Sequence, residues 1–251
     1  MRIAVAQVAS LRADIAGNLA HHEGAIALAA AQEVRLLVFP ELSLSQYDPP
    51  TADDVATTPD DVRFQRLQAL ADAHAMTICS GIPLRSEAGI VIAMLIHQPG
   101  QDVQLYTKRY LHEDELPCFV PGYGGTLMKS PHGDIAFAIC YELSVPAHAQ
   151  AAHAGGAKVY IASVAKTQTG VLKAHNRLAE IARTYEMTVL MANCAGECER
   201  KPAGGKSALW DAQGQMLACL GEREEALLIC DLGLPGSAPQ VVRLTPSAAS
   251  S

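Results

Sequence analysis

The sequence predicts an α/β protein whose mixed sheets are covered by helices. Helix and strand patterns alternate over residues 2–74 and again over 134–192, and a strand-rich segment follows each stretch. Such alternation is typical of sheets that bury their faces against helices. The chain shows neither an internal repeat nor a linker. We therefore expect a single domain over residues 1–235, followed at 236–251 by a loose tail rich in Ser, Ala and Pro.

The first part of the chain begins with a β-α-β pattern. In its first helix Asn18 is a candidate N-cap, because its side chain can accept a hydrogen bond from a free backbone N–H. In the next helix Thr58 offers a cap and Pro59 suits the first turn. The elements predicted up to residue 106 are strands at 2–9, 36–39, 76–83, 90–97 and 102–106 and helices at 18–32 and 58–74.

The second part centres on the segment D-I-A-F-A-I-C-Y-E at 134–142. Its unbroken apolar run predicts a central strand buried on both faces, with Cys140 at the end of the strand. A later helix carries Leu172, Leu178 and Ile181 on its inward face. The elements predicted beyond residue 125 are strands at 126–129, 134–139, 159–162, 187–192, 207–210, 215–218 and 226–230 and helices at 145–154 and 171–186.

The composition favours a globular protein that acts on small molecules. A hydrophobic content of 49% is typical of packed domains, and a net charge of -7 argues against a nucleic acid held through its phosphates. The chain lacks any run of about 20 apolar residues, so we expect no membrane partner. Seven cysteines without regular spacing and the absence of a secretory signal predict a reduced, cytoplasmic setting.

Three apolar strands each lead into a residue that could take part in catalysis. Glu41 follows L-L-V-F-P, Lys108 follows V-Q-L-Y-T, and Cys140 follows I-A-F-A-I. If these strands are neighbours, the side chains converge at one end of a sheet. A thiol with an ordinary pKa of about 8.5 needs a base, which Glu41 can supply. The Lys108 ammonium would keep that carboxylate ionised and oppose the charge of an oxyanion.

Each of these residues also has an ordinary structural interpretation. Glu41 could pair with the positive end of a helix after Pro40, and Lys108 beside Arg109 could be a surface charge. Cys140 could be an inert core thiol, because free cysteine is among the most buried residue types. These interpretations are favoured singly but are less probable together, since three reactive residue types follow three apolar strands.

Three segments resemble the signature segments of the nitrilase superfamily, the carbon-nitrogen hydrolases. They are F-P-E-L at 39–42, K-R-Y-L-H-E-D-E at 108–115 and I-C-Y-E at 139–142. The similarity extends from I-A-V-A-Q at 3–7 to A-N-C-A-G at 192–196 and G-K-S-A-L at 205–209, so it spans nearly the whole chain. The order and spacing of the segments agree with the predicted strands.

The resemblance implies a four-layer α-β-β-α sandwich with two mixed sheets, and a Glu-Lys-Cys triad at Glu41, Lys108 and Cys140. Cys140 would attack the carbon of an amide or nitrile and form an acyl-enzyme. Glu41 would carry the protons, while Lys108 and the Tyr141 N–H would bind the oxyanion. The family's segment commonly has His-Leu after the lysine, where this chain has Tyr110-Leu111.

Family members also have a second glutamate in the loop after the lysine. Glu115 matches it best, whereas Glu113 and Asp114 remain alternatives and two of the three acids are expected to be solvated. Its implied role is to orient the lysine and the substrate amide. The residues that could line the substrate pocket are Tyr47, Tyr123, Tyr141, Cys118, Phe119, Lys166 and Asn193, of which Tyr47, Tyr141 and Asn193 are our substrate-binding candidates.

Other catalytic constellations fit the sequence less well. No histidine lies in a local signature of a papain-like Cys-His pair. His112, Glu113 and Cys118 partly resemble a zinc deaminase, but the spacing of that signature is not kept. Cys194 and Cys198 lack a nearby histidine pair, and Gly122, Gly124 and Gly125 do not open a helix after a strand. We therefore expect neither a metal nor a cofactor.

The predicted function is hydrolysis of a non-peptide C-N bond in a small amide or N-carbamoyl compound, with water as the second substrate. Two alternatives remain: a nitrilase that converts a nitrile to an acid, and a non-catalytic binding or scaffold protein. A nitrilase is disfavoured by the short C-terminal segment. The resemblance also implies a homodimer or higher homo-oligomer joined through the helices after Cys140 and after Lys166.

Overall fold

The computed structural model describes residues 1–234 and 236–244. Its strands are β1 (Arg2–Gln7), β2 (Leu36–Val38), β3 (Thr77–Ser86), β4 (Gly89–His97), β5 (Gln104–Thr107), β6 (Asp134–Ile139), β7 (Ala157–Val164), β8 (Thr188–Asn193), β9 (Glu197–Cys198), β10 (Lys201–Pro202), β11 (Ala208–Trp210), β12 (Met216–Cys219), β13 (Ala226–Asp231) and β14 (Gln240–Arg243). Its α-helices are α1 (Ile15–Ala31), α2 (Ala52–Val55), α3 (Gln65–His74), α4 (Pro146–Ala154) and α5 (Gln168–Tyr185).

Two mixed sheets form the centre of the molecule. The larger has the order β14-β13-β1-β2-β3-β4-β5, in which β1, β2 and β3 are parallel and the other neighbours antiparallel. The smaller has the order β12-β11-β8-β7-β6, in which β6, β7 and β8 are parallel. Because β5 is two antiparallel steps from β3, it runs in the same direction as β2.

The side chains of β1 alternate between the two faces of the larger sheet, as in any strand. Ile3 and Val5 belong to the core shared with the smaller sheet, whereas Ala4 and Ala6 belong to the core under α1 and α3. Helices α4 and α5 pack on the other side of the smaller sheet. The four-layer α-β-β-α sandwich is therefore confirmed.

Two predicted N-caps, Asn18 and Thr58, do not cap their helices. Asn18 is not a cap: Asp14 caps α1 by accepting a hydrogen bond from the Gly17 N–H, and Asn18 is buried inside the helix, bonded to the backbone of Leu11. The helix expected from Thr58 begins later. A 3-10 turn at Val62–Phe64, capped by Asp61, precedes α3.

Four further expectations are corrected. The strand predicted at 126–129 is only a single bridge between Met128 and Ile135, and β6 lies at the edge of its sheet among the described residues. Leu172, expected to face inward on α5, is 59% exposed. Part of the expected loose tail is ordered, because Gln240–Arg243 forms β14 on the edge of the larger sheet. Residues 245–251 lie outside the described residues, as does Pro235.

No helix among the described residues is both long and apolar enough to span a bilayer.

Gly81 lets the segment after β2 cross closely over β3. A Cβ atom at Gly81 would overlap the backbone N of Leu42 and approach the backbone O of Pro40. The crossing segment is also tied to β3 by a hydrogen bond of 2.9 Å from the Leu44 N–H to the Gly81 carbonyl. The position of Glu41 therefore depends on residue 81 being glycine, which has no side chain.

We predict that Gly81→Ala lowers the free energy of unfolding by about 1–3 kcal/mol, because the added methyl meets fixed backbone, and that it also lowers kcat/KM by shifting Glu41. Thermal melting and steady-state rates measure both effects. Gly24→Ala is the matched control, since nothing lies within 4 Å of its Cβ in α1. There alanine should stabilise by about 0.5–1 kcal/mol. Equal effects at both positions would contradict the prediction.

Candidate active site

The predicted site residues meet between the two sheets, not at the end of one sheet. Strands β2 and β5, which lead to Glu41 and Lys108, are separated by β3 and β4, and β6, which leads to Cys140, belongs to the other sheet. Since β2 and β5 run in the same direction, their C-terminal ends, and the two residues that follow them, lie on the same side of the larger sheet. The Ser163 hydroxyl at the end of β7 donates to the Phe39 carbonyl at 2.8 Å, which joins this side to the smaller sheet.

Lys108 is the buried centre of the site. Its ammonium group donates to Glu41 Oε1 at 2.7 Å and to Glu115 Oε1 at 2.5 Å, and the side chains of the three residues are at most 1% exposed. Burial by itself would lower the pKa of Lys108, but the attraction of Glu41 and Cys140 outweighs it, so the pKa is raised. Lys108 therefore stays charged at neutral pH.

Glu115 is the acid of its loop that enters the site, whereas Glu113 and Asp114 are exposed. Its Oε1 accepts from Lys108 and, at 2.7 Å, from the Tyr47 hydroxyl, while its Oε2 accepts from the His112 N–H at 2.8 Å. Three donors thus hold this carboxylate in one orientation. Because Glu115 is held in this way, its bond to the Lys108 ammonium group keeps that group close to Glu41.

Tyr47 connects the site to a neighbouring loop. Its hydroxyl bonds Glu115, and its backbone carbonyl accepts from the Glu199 N–H at 2.8 Å. Glu199 lies in the turn of the small hairpin formed by β9 and β10. Burial, followed by the charges of Glu41 and Glu115, raises the pKa of Tyr47. The tyrosine therefore remains a neutral hydrogen-bond donor.

Glu41 and Cys140 can act as a base and a nucleophile. Each group shifts the pKa of the other, and Glu41 Oε2 accepts no hydrogen bond from the described residues. Burial raises the pKa of Glu41, although Lys108 opposes the rise. Burial and then Glu41 raise the pKa of Cys140 to about 11. Cys140 therefore keeps its proton at neutral pH.

Cys140 has a strained backbone. Its φ of 45° is in the left-handed region, which costs roughly 1–3 kcal/mol for a residue other than glycine. Cys140 opens the 3-10 helix Cys140–Ser144, so the N–H of Tyr141 lies in the first turn, where N–H groups have no partner within the helix. The sharp turn therefore presents the sulfur beside an available backbone donor.

Glu142 is a structural residue that sequence reasoning missed. Its fully buried carboxylate accepts from the N–H of Arg109 at 2.7 Å, the N–H of Ile139 at 2.8 Å and the hydroxyl of Tyr106 at 2.6 Å. One carboxylate thereby joins the residue after Lys108 to the residue before Cys140. The I-C-Y-E segment contained the signal, a charged residue two positions after the thiol, but sequence does not show which way it points.

Asn193, a candidate for binding substrate, has its hydrogen-bonding capacity taken up by the protein. Its Oδ1 accepts from the Lys166 N–H at 2.8 Å, and its Nδ2 donates to the carbonyls of Lys166 at 3.2 Å and Gly205 at 2.7 Å. The side chain is completely buried. These bonds leave it without a donor for a substrate, and they fix the backbone of Lys166 instead.

A surface hollow of about 230 Å³ lies beside α4. Tyr106, Arg109, Tyr123 and His148 are among its lining residues, whereas Glu41, Lys108, Cys140 and Glu115 are not. Tyr123 is 90% exposed, so this tyrosine borders the hollow and not the buried site. Of the other pocket candidates, Phe119 is buried and Cys118 half-buried.

Comparison with known proteins agrees with this geometry. The family model described as "Carbon-nitrogen hydrolase" matches residues 2–239. The chain belongs to this family. It is thus an enzyme of the carbon-nitrogen hydrolase type, and the alternative of a scaffold without catalysis is not supported.

Solved structures similar to this carbon-nitrogen hydrolase include amidases of the nitrilase superfamily. The amidase from Nesterenkonia sp. AN1 is 26% identical, with a TM-score of 0.83 over 94% of this chain and 93% of that chain. A mutant of it that shows Michael addition of acrylamide at the active-site cysteine is 25% identical, with a TM-score of 0.84 over 95% and 94%. Another mutant, in complex with butyramide, is 25% identical, with a TM-score of 0.83 over 92% and 90%.

We predict that Glu142→Gln destabilises the hydrolase by about 2–4 kcal/mol, because an amide NH2 would face backbone donors and leave them unpaired in a buried site. It should also lower kcat more than it changes KM, since Lys108 and Cys140 lose their common anchor. Denaturant unfolding and steady-state kinetics measure the two effects. Glu180→Gln is the control: Glu180 is 52% exposed and, within the part of the chain that the structure describes, pairs only with Arg177, so its loss should change stability by less than about 0.5 kcal/mol.

Proposed function

We propose that the protein hydrolyses a non-peptide C-N bond of a small amide or N-carbamoyl compound through a cysteine acyl-enzyme, with Glu41, Lys108 and Cys140 as the catalytic triad and Glu115 as its second glutamate. The observation that carries the proposal is the buried Glu41 carboxylate, which Lys108 holds at 2.7 Å and whose second oxygen accepts no hydrogen bond from the described residues. Of the similar amidase from Nesterenkonia sp. AN1, one mutant is in complex with butyramide and another shows Michael addition of acrylamide at the active-site cysteine.

The first half of the reaction forms the acyl-enzyme. As Cys140 sulfur bonds to the carbonyl carbon, the thiol proton passes to Glu41, whose raised pKa makes it a stronger base. The carbonyl oxygen becomes an oxyanion and binds the Lys108 ammonium and the Tyr141 N–H. When the oxyanion collapses, the C-N bond breaks and Glu41 gives its proton to the departing nitrogen. Ammonia or an amine leaves, and a thioester remains.

The second half returns the enzyme to its starting state. Glu41, again a carboxylate, takes a proton from a water molecule as the water oxygen attacks the thioester carbon. Lys108 and the Tyr141 N–H bind the second oxyanion. The C-S bond then breaks, the sulfur recovers the proton from Glu41, and the carboxylic or carbamic acid leaves. Atoms and charges balance with water alone.

Glu115 and Tyr47 serve this reaction by fixing Lys108. Because Glu115 accepts one N–H of the ammonium group and Glu41 accepts a second, one N–H remains for the oxyanion. Tyr47 holds Glu115 in place. We propose Tyr47 and Tyr141 as the aromatic side chains beside the substrate, and we assign Asn193 to the protein's own backbone.

We also propose that the hydrolase forms a homodimer through α4 and α5. Small side chains, Ala147 and Ala151, are exposed on α4, and Leu172 is exposed on α5, which allows close contact between helices. A measured mass near twice the chain mass of 26.6 kDa checks the proposal, and a single-chain mass at micromolar concentration contradicts it. A reducing compartment such as the cytoplasm suits a nucleophilic thiol.

We predict that Cys140→Ala abolishes the release of ammonia from amides, since no other group can form the thioester. Ammonia release from a panel of amides, N-carbamoyl compounds and nitriles identifies a substrate, and the same assay is then applied to the variant. Cys219→Ala, which removes an exposed thiol, should keep full activity. Retained activity in Cys140→Ala would end the proposal, and acid formed from nitriles but not from amides would favour a nitrilase.

A further inference from the structure

We propose that Lys166 is a further catalytic residue of this hydrolase, whose ammonium group stabilises the Cys140 thiolate, and that Asn193 is the positioning residue that holds Lys166 in place. The inference rests on the proposed function, because it concerns the same nucleophile. It assigns the two lysines of the site different tasks. Lys108 serves the carboxylates and the oxyanion, and Lys166 serves the sulfur.

The strand register places Lys166 next to the nucleophile. Strands β6 and β7 are parallel neighbours in which Ile139 pairs with Ser163, so Cys140 and Val164 come next at the same edge. Lys166 follows two residues after Val164. Its side chain is half-buried, and the charges of the Lys166 ammonium group and the Cys140 thiolate shift the pKa of one another. The salt bridges formed by the described residues include none at Lys166.

Asn193 fixes this position through the backbone. Val164 pairs with Asn193 across β7 and β8, and the buried amide then bonds both the N–H and the carbonyl of Lys166, at 2.8 and 3.2 Å. The Gly204 N–H donates to the same carbonyl at 2.7 Å. A surface lysine does not need such a clamp. These hydrogen bonds fix the Lys166 backbone, and so they limit how far its ammonium group can move from the sulfur.

A second cation neutralises the charges of the site. Whether the proton is on Cys140 or on Glu41, two negative charges face the one positive charge of Lys108, and after the transfer one of the two lies on the sulfur. Lys166 brings the sum to zero, which matters because opposite charges interact strongly where water is excluded. The charged groups that face the sulfur are Glu41, Lys166, Lys108 and Glu115.

The titration of the two groups agrees with this assignment. Burial and then Glu41 raise the pKa of Cys140, and Lys166 opposes this rise more strongly than Lys108 does. The attraction of Cys140, with Glu41 in addition, raises the pKa of Lys166, although burial and Lys108 oppose it. Lys166 is therefore charged at neutral pH.

The experiment measures the alkylation of Cys140 by iodoacetamide as a function of pH, followed by mass spectrometry of the peptide that contains it. The thiolate is the reacting species. In Lys166→Met the midpoint of the profile should move to higher pH by about one unit, which makes the reaction about tenfold slower at pH 7. Lys166→Arg should recover most of the rate, and Asn193→Ala should give a smaller shift in the same direction.

Steady-state kinetics provide a second measurement. Lys166→Met should lower kcat by about 10-fold or more with little change in KM, because the thiolate forms in the reaction and not in substrate binding. Lys173→Met is the matched control, since it removes an equal charge from an exposed position of α5. It should leave both the profile and the rates unchanged. If Lys166→Met does not fold, Lys166→Gln is used with the same criteria.

Two results would overturn the proposal. An unchanged alkylation profile in a folded Lys166 variant would show that the ammonium group does not act on the sulfur. A rise in KM with unchanged kcat would make Lys166 a substrate contact. Both are distinct from failure of the proposed function, which is tested by activity in Cys140→Ala and not by the charge beside the thiol.

Discussion

The site depends on one buried ammonium group that lies between two carboxylates. Lys108 is completely buried, and a buried charge without partners costs several kcal/mol. Its partners come from different segments, Glu41 after β2 and Glu115 in the loop after β5. The charges are satisfied only when both segments are in place. The same ion pairs therefore couple formation of the site to the packing of the two segments that follow β2 and β5.

Backbone strain and buried tethers keep this structure ready for reaction. Cys140 and Leu42, which follows Glu41, both have left-handed φ values, of 45° and 50°. Such conformations persist only where the surroundings enforce them. Glu142 enforces the first by binding the residue before it, and the crossing at Gly81 enforces the second. The polar groups are thus oriented before substrate arrives, which is the arrangement that favours stabilisation of a developing charge.

The sequence predicted the layers and the charged residues of the site better than their connections. Apolar periodicity located nearly all long elements, because helices and buried strands impose a strong pattern. It missed β14 and misplaced Asn18 and Leu172, since a short exposed strand, a buried polar side chain and an exposed leucine follow no such pattern. The meeting of Glu41, Lys108 and Cys140 was expected from their strand ends, but the sheet order was not, because pairing between strands far apart in the chain has no local signal.

The tethers of the site show the same limit. Sequence gave no role to Glu142, and it suggested for Asn193 a contact with substrate that its bonds to Lys166 and Gly205 do not allow. Whether a polar side chain serves the substrate or the backbone is decided by the direction in which it points. That direction is set by tertiary packing, which one sequence does not reveal.

The link through Tyr47 gives the enzyme a means of changing its preferences gradually. The tyrosine hydroxyl donates to Glu115 and its carbonyl accepts from the Glu199 N–H. Two hydrogen bonds therefore connect the β9-β10 hairpin to a buried carboxylate. Substitutions in that hairpin would reach the aromatic ring through these two hydrogen bonds. On the proposal that Tyr47 lies beside the substrate, a lineage could retune the shape of its binding space from a loop outside the charged site.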